Sequence, residues 1–399
     1  MLTPNPAPNN YEFRITNYEG MPVKILETIR QGKIGGGETH VLDLVRGMDR
    51  SQFEPVVLSF TPGPMVDQLR SQGVKTYVIH TTKPFNPFVV GKVKRLLEEE
   101  NIQLVHAHGT RSCSNVYRAA RALNLPLVYT VHGWSFHPSL HPLMFKARYK
   151  SEDLLTEAST LTINVSKANQ DEGRQYFPLR KSEIVYYGVD TNRFDPESSS
   201  LMDLREELGL PKDKTLVGFV ARMTTQKDPL TMMEAINLVA KKTRDVHFLM
   251  VGDGELKEQA LAKVQEYGLE DAVTFTGFRQ DVPNVLHTID VYVLPSLWEG
   301  LSIAMLEALS MGKTALVSDV CGNVEAVTHE QNGLHISPKN PQALADAILR
   351  VHADPVFAQQ LGDAARQTVL KQFSLPVMVA NTEARYRKLL GIASPIPAS

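Results

Sequence analysis

Short runs of β-branched and apolar residues recur along most of the chain, and longer stretches with helical spacing lie between them. In the first half these runs predict strands at Val23–Ile29, Pro55–Ser59, Thr76–His80, Leu104–Ala107, Leu127–Thr130, Thr160–Val165 and Ile184–Tyr187. Helices fit between them, for example Glu38–Met48, Pro87–Glu100 and Cys113–Leu123. The pattern lapses over residues 191–214, where DPESSS, the amphipathic piece LMDLREELGL and PKDK read as a linker. It resumes with predicted strands at Leu216–Val220, Val246–Val251, Val273–Thr276, Val291–Leu294 and Thr314–Ser318. Strands that are apolar along their length belong to parallel sheets covered on both faces by crossover helices. The expected architecture is therefore α/β, with two doubly wound domains at residues 21–190 and 215–376 and a cleft between them. In such folds ligands bind beyond the carboxyl ends of the strands.

Composition narrows the function. Of 399 residues, 43% are hydrophobic and 22% charged, which suits ordinary globular cores. No stretch approaches the roughly 18 uninterrupted apolar residues of a membrane helix. Residues 1–20, MLTPNPAPNNYEFRITNYEG, lack the basic start and apolar run of a secretion signal and are expected to form a disordered tail. Two cysteines, Cys113 and Cys321, cannot build a disulfide framework, which fits a reducing, cytoplasmic setting. The net charge of -2 divides unevenly: residues 1–190 hold 22 basic against 18 acidic side chains, residues 191–399 hold 20 against 26. Neither half has the concentrated basic face of a nucleic-acid binder. The first half can meet an anionic membrane surface, and KPFNPFVVGKVKRLL places Phe85, Phe88, Val89 and Val90 beside Lys92, Lys94 and Arg95. An ordinary crossover helix explains the same segment, since Glu98, Glu99 and Glu100 follow.

Several segments carry candidate chemistry. The first strand runs into GKIGGGETHVLDLV, where Gly35, Gly36 and Gly37 precede a helix whose unpaired N–H groups suit an anion. The spacing is neither that of a dinucleotide fingerprint nor that of a Walker loop. GFVARMTTQKDP delivers Arg222 and Lys227 past the end of a strand, and two cations there suit a diphosphate. In VYVLPSLWEGLSIAMLEALSMGKTALVSD, Glu299 precedes a helix starting near Ser302, with Glu307 inside it among Met305, Leu306, Ala308 and Leu309. The carboxylates are too far apart to share one bond, but they can grip two parts of an elongated ligand. Its phosphate would sit on the backbone donors of Gly300, Leu301 and Ser302. GLSIA is not a nucleophile elbow, and GKT follows a helix instead of opening one. His106, His108 and His132 all lie at strand ends. His137 and His141 have the spacing of a helical metal pair, but Pro138 argues against that helix.

Together these segments closely resemble the GT-B-fold retaining glycosyltransferases of family four, the glycosyl transferases group one. The matching pieces are GGGETHVLDLV, VHAHG, TVHG, NVSKANQ, YYGVDTNRF, VGFVARMTTQKDP, VGDGELKE, TFTGFRQDV and the E-x7-E of Glu299 and Glu307, in that order. The resemblance implies two Rossmann-like domains facing a central cleft, with helix 377–392 crossing back to the first. It implies that Arg222 and Lys227 hold the diphosphate of a nucleoside-diphosphate sugar, that Glu307 binds ribose, and that Glu299 touches the transferred sugar. Gly35 and Gly36 would approach the phosphates, and His132 would touch the sugar near its reacting carbon. Gly252 of VGDGELKE joins the donor site, and Phe278 and Arg279 flank the base. Gly37 departs from the family, where a bulkier residue is common. No metal or other cofactor is expected, and no nucleophile is needed. UDP-sugars are favoured as donors and GDP-sugars come next, with a sugar, a lipid-linked or a small-molecule hydroxyl as acceptor. A nucleotide-sugar epimerase of the same fold would lack the E-x7-E. A non-catalytic nucleotide-sugar-binding protein would have lost Arg222, Lys227 or a glutamate, and all are present.

Overall fold

The computed structural model describes residues 21–32, 35–137 and 140–393, so the expected amino-terminal tail lies outside the described residues. The chain divides into two units, each built on its own parallel sheet. The first unit holds the chain up to Ile163, Tyr176–Glu183 and the residues from Ala380 onward, and the second holds Asn164–Gln175 and Ile184–Val379.

Seven strands form the first sheet: β1 (Val23–Ile29), β2 (Phe53–Ser59), β3 (Thr76–Val78), β4 (Leu104–His108), β5 (Leu127–Val131), β6 (Leu161–Asn164) and β7 (Ser182–Ile184). Their order is β3-β2-β1-β4-β5-β6-β7, so the winding reverses between β1 and β4. In this sheet Glu27 of β1 lies opposite His106 of β4, and His108 opposite Thr130 of β5. The helices are α1 (Gly36–Gly47), α2 (Pro64–Ser71), α3 (Pro87–Glu99), α4 (Thr110–Ala122) and α5 (Pro142–Ala158). On one face Phe60, Val93, Val116 and Tyr129 are buried; on the other Val41, Val45, Met65 and Leu69 close the layer. The Asn86 side chain caps α3, and Pro87 occupies its first turn. Of the two readings of this segment, the crossover helix fits the packing of Val89, Val93, Leu96 and Leu97, which are buried, while Phe88 is 83% exposed and Arg118 lies over the ring of Phe85. Lys92, Lys94 and Arg95 are exposed.

The second unit starts with α6 (Lys167–Arg174), and its sheet is β8 (Thr215–Val220), β9 (Val246–Val251), β10 (Val273–Gly277), β11 (Val291–Leu294), β12 (Thr314–Ser318) and β13 (Leu334–Ile336). The order is β10-β9-β8-β11-β12-β13, reversing between β8 and β11. Every pair runs parallel. Around it pack α7 (Pro229–Ala240), α8 (Lys257–Tyr267), α9 (Val282–Thr288), α10 (Ile303–Ser310), α11 (Pro341–Ala353) and α12 (Pro355–Thr368). LMDLREELGL forms turns, not a helix, and Leu204 and Leu210 are buried against the core of this unit. The expected strand Ile184–Tyr187 is displaced to Ser182–Ile184. The following residues run on to Val189, which pairs with Ser374. The last helix, α13 (Leu375–Leu390), begins in the second unit and ends in the first.

Candidate functional site

In the second unit the expected donor-site residues all follow the carboxyl ends of four adjacent strands. Arg222 follows β8, Gly252 follows β9, Phe278 and Arg279 follow β10, and Glu299 through Ser302 follow β11. The reversal between β8 and β11 opens a crevice in a doubly wound sheet, and ligands bind there. Lys227 and Glu299, from the loops on either side of that reversal, form an ion pair. Their side chains are only 13% and 5% exposed. Ser296 Oγ donates to the same Glu299 oxygen at 2.6 Å, and Gln226 Nε2 lies 3.5 Å from the other. Gln226 also ties the loops by its backbone carbonyl, which accepts from Leu297 N at 2.8 Å.

Asp228 ends this loop in the left-handed region and accepts from Thr231 N and Thr231 Oγ1, starting α7. Arg222 is exposed and has no ion-pair partner among the described residues. Its charge helps hold the Glu255 carboxyl below its ordinary range, after Glu255's own N–H and that of Thr225. Gly252, at φ +133°, is there for a close approach: a Cβ would collide with the Ala221 carbonyl. A Cβ at Gly254 would strike the backbone of Met223. These glycines seat the loop after β9 on the loop that carries Arg222.

Phe278 is 72% exposed, and its N–H donates to Asp253 Oδ2 at 2.8 Å. Arg279 pairs with Asp281 at 2.6 Å and Glu207 at 2.8 Å, which raise its pKa. Ser302 is buried and caps α10 by accepting from Met305 N at 3.4 Å. Glu307 is half-buried within that helix. Tyr292 of β11 was not foreseen. Its hydroxyl is buried without a hydrogen-bond partner, and burial and then the charges of Glu299 and Glu307 push its pKa well up.

The first unit gathers a second group of the expected site residues. Gly35 precedes α1 in an extended conformation, and a side chain at Gly37 would meet the His132 ring at 3.5 Å. The glycine loop and His132 are thus neighbours; Lys33 and Ile34 lie outside the described residues. His132 Nε2 is 3.2 Å from His108 Nδ1, and His108 Nε2 donates to Glu27 Oε2 at 2.8 Å. Tyr386, from the last helix, donates to Glu27 Oε1 at 2.7 Å. The Tyr386 oxygen also lies 2.5 Å from His106 Nδ1, while His106 Nε2 meets Thr130 Oγ1 at 2.7 Å. His40 stacks edge-on against His132 with ring centres 5.2 Å apart.

Burial acts to raise the pKa of Glu27, but the charge and hydrogen bonds of His106 and His108 outweigh it and leave the carboxyl ionised. Burial and His106 lower His108 to about 4. Burial, then His40, His108 and His106, hold His132 well below its ordinary value. Glu27, His106 and His108 bring donor atoms within 4.8 Å of one another, close enough to hold a metal ion. Each of those atoms already takes part in a hydrogen bond within the cluster. Glu27 had a signal in the sequence, a lone carboxylate inside the apolar strand VKILETI. Tyr386 had none.

The family described as Glycosyl transferases group 1 matches residues 202–368, and Glycosyltransferase Family 4 matches residues 34–193. A relative from Escherichia coli, UDP-Gal:alpha-D-GlcNAc-diphosphoundecaprenol alpha-1,3-galactosyltransferase, is 30% identical over 325 residues, covering 78% of this chain and 83% of its own. Alpha-D-kanosaminyltransferase of Streptomyces kanamyceticus is 27% identical over 317 residues, covering 76% and 81%. Among solved structures, Anabaena Alr3699/HepE in complex with UDP and glucose superposes with a TM-score of 0.79 at 24% identity, covering 91% of this chain and 99% of that one. The chain belongs to the glycosyl transferases group 1, in glycosyltransferase family 4, and is a glycosyltransferase of the GT-B fold.

Proposed function

We propose that the protein transfers a sugar, with retention of configuration, from a nucleoside-diphosphate sugar to a hydroxyl acceptor in the synthesis of a cell-surface glycan. The carrying observation is the Lys227–Glu299 pair across the β8/β11 reversal, with Arg222 on the same loop as Lys227. A diphosphate entering there meets Lys227 as a point charge and Arg222 as a fork of donors. Glu299 then faces the sugar, and Glu307 faces the ribose hydroxyls from within α10. As the bond between C1 and the phosphate oxygen breaks, its electron pair leaves with the diphosphate. The acceptor oxygen bonds C1 on the same face, and its proton passes to the departing phosphate oxygen. Arg222 and Lys227 stabilise that charge, so the step runs without a metal.

A UDP-sugar is the favoured donor. The UDP named with the Anabaena structure and the UDP-Gal named for the Escherichia coli relative support that reading. The relative's diphosphoundecaprenol-linked acceptor supports a lipid-linked acceptor here, met at an anionic membrane surface by Phe88, Lys92, Lys94 and Arg95. No described helix is long and apolar enough to cross a membrane. Thermal-shift screening of UDP- and GDP-sugars, followed by NMR of the product anomer, tests the proposal. Stabilisation by UDP-sugars with a retained anomer supports it; an inverted product or a response to GDP-sugars alone refutes it.

A further inference from the structure

We propose that Arg30, Arg111 and Arg148 form an anion site where the winding of the first sheet reverses, and that it takes a diphosphate carried by the acceptor. The choice of ligand rests on the lipid-linked acceptor read above; the arginine site itself does not.

The three side chains come from separate elements that hydrogen bonds draw together. Ile29 of β1 lies opposite His108 of β4, so Arg30, the next residue, leaves the sheet beside Gly109. Arg111 stands in the first turn of α4, and Ser112 Oγ in that turn donates to the Thr28 carbonyl at 2.8 Å. Arg148 lies one turn before Glu152 in α5. The buried Glu152 carboxylate accepts from Thr110 Oγ1 at 2.7 Å, from the Tyr129 hydroxyl at 2.8 Å and from Ser135 N at 3.1 Å. These bonds tie α5 to the start of α4.

The charge of the cluster is not answered from within. Arg30 donates to Gln31 Oε1 at 2.7 Å and Arg148 to the Ser135 carbonyl at 2.8 Å, both neutral acceptors. The Arg111 guanidinium has no hydrogen-bond partner, and none of the three forms an ion pair, among the described residues. Glu152 spends its oxygens on neutral donors. Glu38, which Arg30 influences, has its pKa raised by burial, which disfavours its charged form. Arg111 instead feels like charge: burial, then Arg30, then Arg148 lower its pKa. Space lies open at this place, since a side chain at Gly109 or Gly133 would meet nothing within 4 Å. Gly109 starts α4 without a side-chain cap, so the positive end of that helix adds to the same field.

The chemistry favours phosphate. A carboxylate engages one guanidinium fork and would leave two cations unbalanced, whereas a diphosphate brings several charges and enough oxygens for more than one fork. The crevice at a reversal of strand order is also where a doubly wound sheet receives its ligands.

Calorimetric titration of the full-length protein with inorganic pyrophosphate, with UDP saturating, tests the site. We expect one pyrophosphate to bind. Arg111→Gln and Arg148→Gln should each weaken that binding about tenfold or more, the cost of a lost charge-assisted bond, and leave UDP affinity unchanged. Arg111→Lys, which keeps the charge and loses the fork, should fall between. Arg222→Ala should leave the pyrophosphate event intact. Arg111 has no partner to strand, so Arg111→Gln should fold; Arg148→Gln decides the matter if it does not. Dodecyl diphosphate binding tighter than pyrophosphate identifies a lipid-linked ligand and equal affinity a water-soluble one, and either supports the site. No pyrophosphate event above UDP, an event untouched by both glutamine variants, or one lost in Arg222→Ala instead overturns the proposal. A wild type that binds pyrophosphate at these arginines but no nucleotide refutes the donor reading and leaves the arginine site standing.

Discussion

Replacing Lys227 by alanine separates the two roles of its charge. In the native protein its ammonium neutralises Glu299, whose side chain is 5% exposed. Lys227→Ala leaves that carboxylate with only neutral donors, chiefly Ser296 Oγ. Stranding one partner of a buried pair costs about 3–5 kcal/mol. The shortened side chain admits water and the hydroxyl remains, which puts the loss nearer about 2–3 kcal/mol. For a unit of this size, that lowers the melting point by about 4–12 °C. Arg222→Ala strands nothing, because Arg222 is exposed, and should cost under about 0.5 kcal/mol. Turnover tells the opposite story: each variant should lose about 100-fold or more, as each removes one preorganised charge from the leaving diphosphate. Lys227→Ala combined with Glu299→Gln should regain most of the lost stability and none of the activity. Urea unfolding followed by circular dichroism, with turnover measured on the same samples, gives both quantities. The reasoning fails if Lys227→Ala is as stable as Arg222→Ala, or if either keeps wild-type turnover.

Calorimetry should find that Glu307→Gln weakens binding of free UDP, while Glu299→Gln leaves binding nearly intact and damages transfer; the reverse order would exchange the two roles. Acid should loosen the first unit through His108, whose folded pKa of about 4 lies below the unfolded 6.5. Its stabilising effect is complete above pH 6.5 and is lost as the pH falls toward 4, by about 3 kcal/mol in total. Urea midpoints that stay flat between pH 7 and 4.5 would contradict this. The protein should co-sediment with anionic vesicles in a salt-sensitive manner, weakened by Phe88→Ser or Lys92→Ala. Equal recovery with neutral vesicles would point to an acceptor free in solution.

Both sheets were legible because fully buried parallel strands leave apolar runs such as VYVL and VHFLMV that surface segments do not imitate. The loops that carry the expected donor-site residues were placed at strand ends for a related reason: each such loop is local, so Arg222 with Lys227, and Glu299 with Glu307, fall within single segments. What escaped was non-local or weakly patterned. LHI is too short to show a period, yet it forms β13 because β12 offers it an edge. LMDLREELGL has helical spacing, but its Leu204 N–H is taken by Thr288 Oγ1, and burial of Leu204 and Leu210 won over helix propensity. The ion pairs of Arg279 escaped as well, since nothing in TFTGFRQDV reveals that Glu207, 72 positions earlier, would pair with it. The bond between Tyr386 and Glu27 spans 359 positions, and no local signal can carry that.

The glycines of VGDGE bear on any attempt to redesign donor choice. Met223 N donates to Asp253 O at 3.0 Å and Leu256 N to Met223 O at 2.9 Å, so two loops from neighbouring strands are laced together through their backbones. Because Gly252 and Gly254 leave no gap between them, the two loops pack backbone against backbone. Phe278, exposed on the next loop after β10, can be varied in a library, whereas Asp253 accepts from Phe278 N and Glu255 from Thr225 N. The two glycines cannot be varied, since a Cβ there would strike the backbone of Ala221 or Met223 and push the loop of Arg222 off its seat. Variants recovered with altered donor preference should therefore keep both glycines while exchanging Phe278.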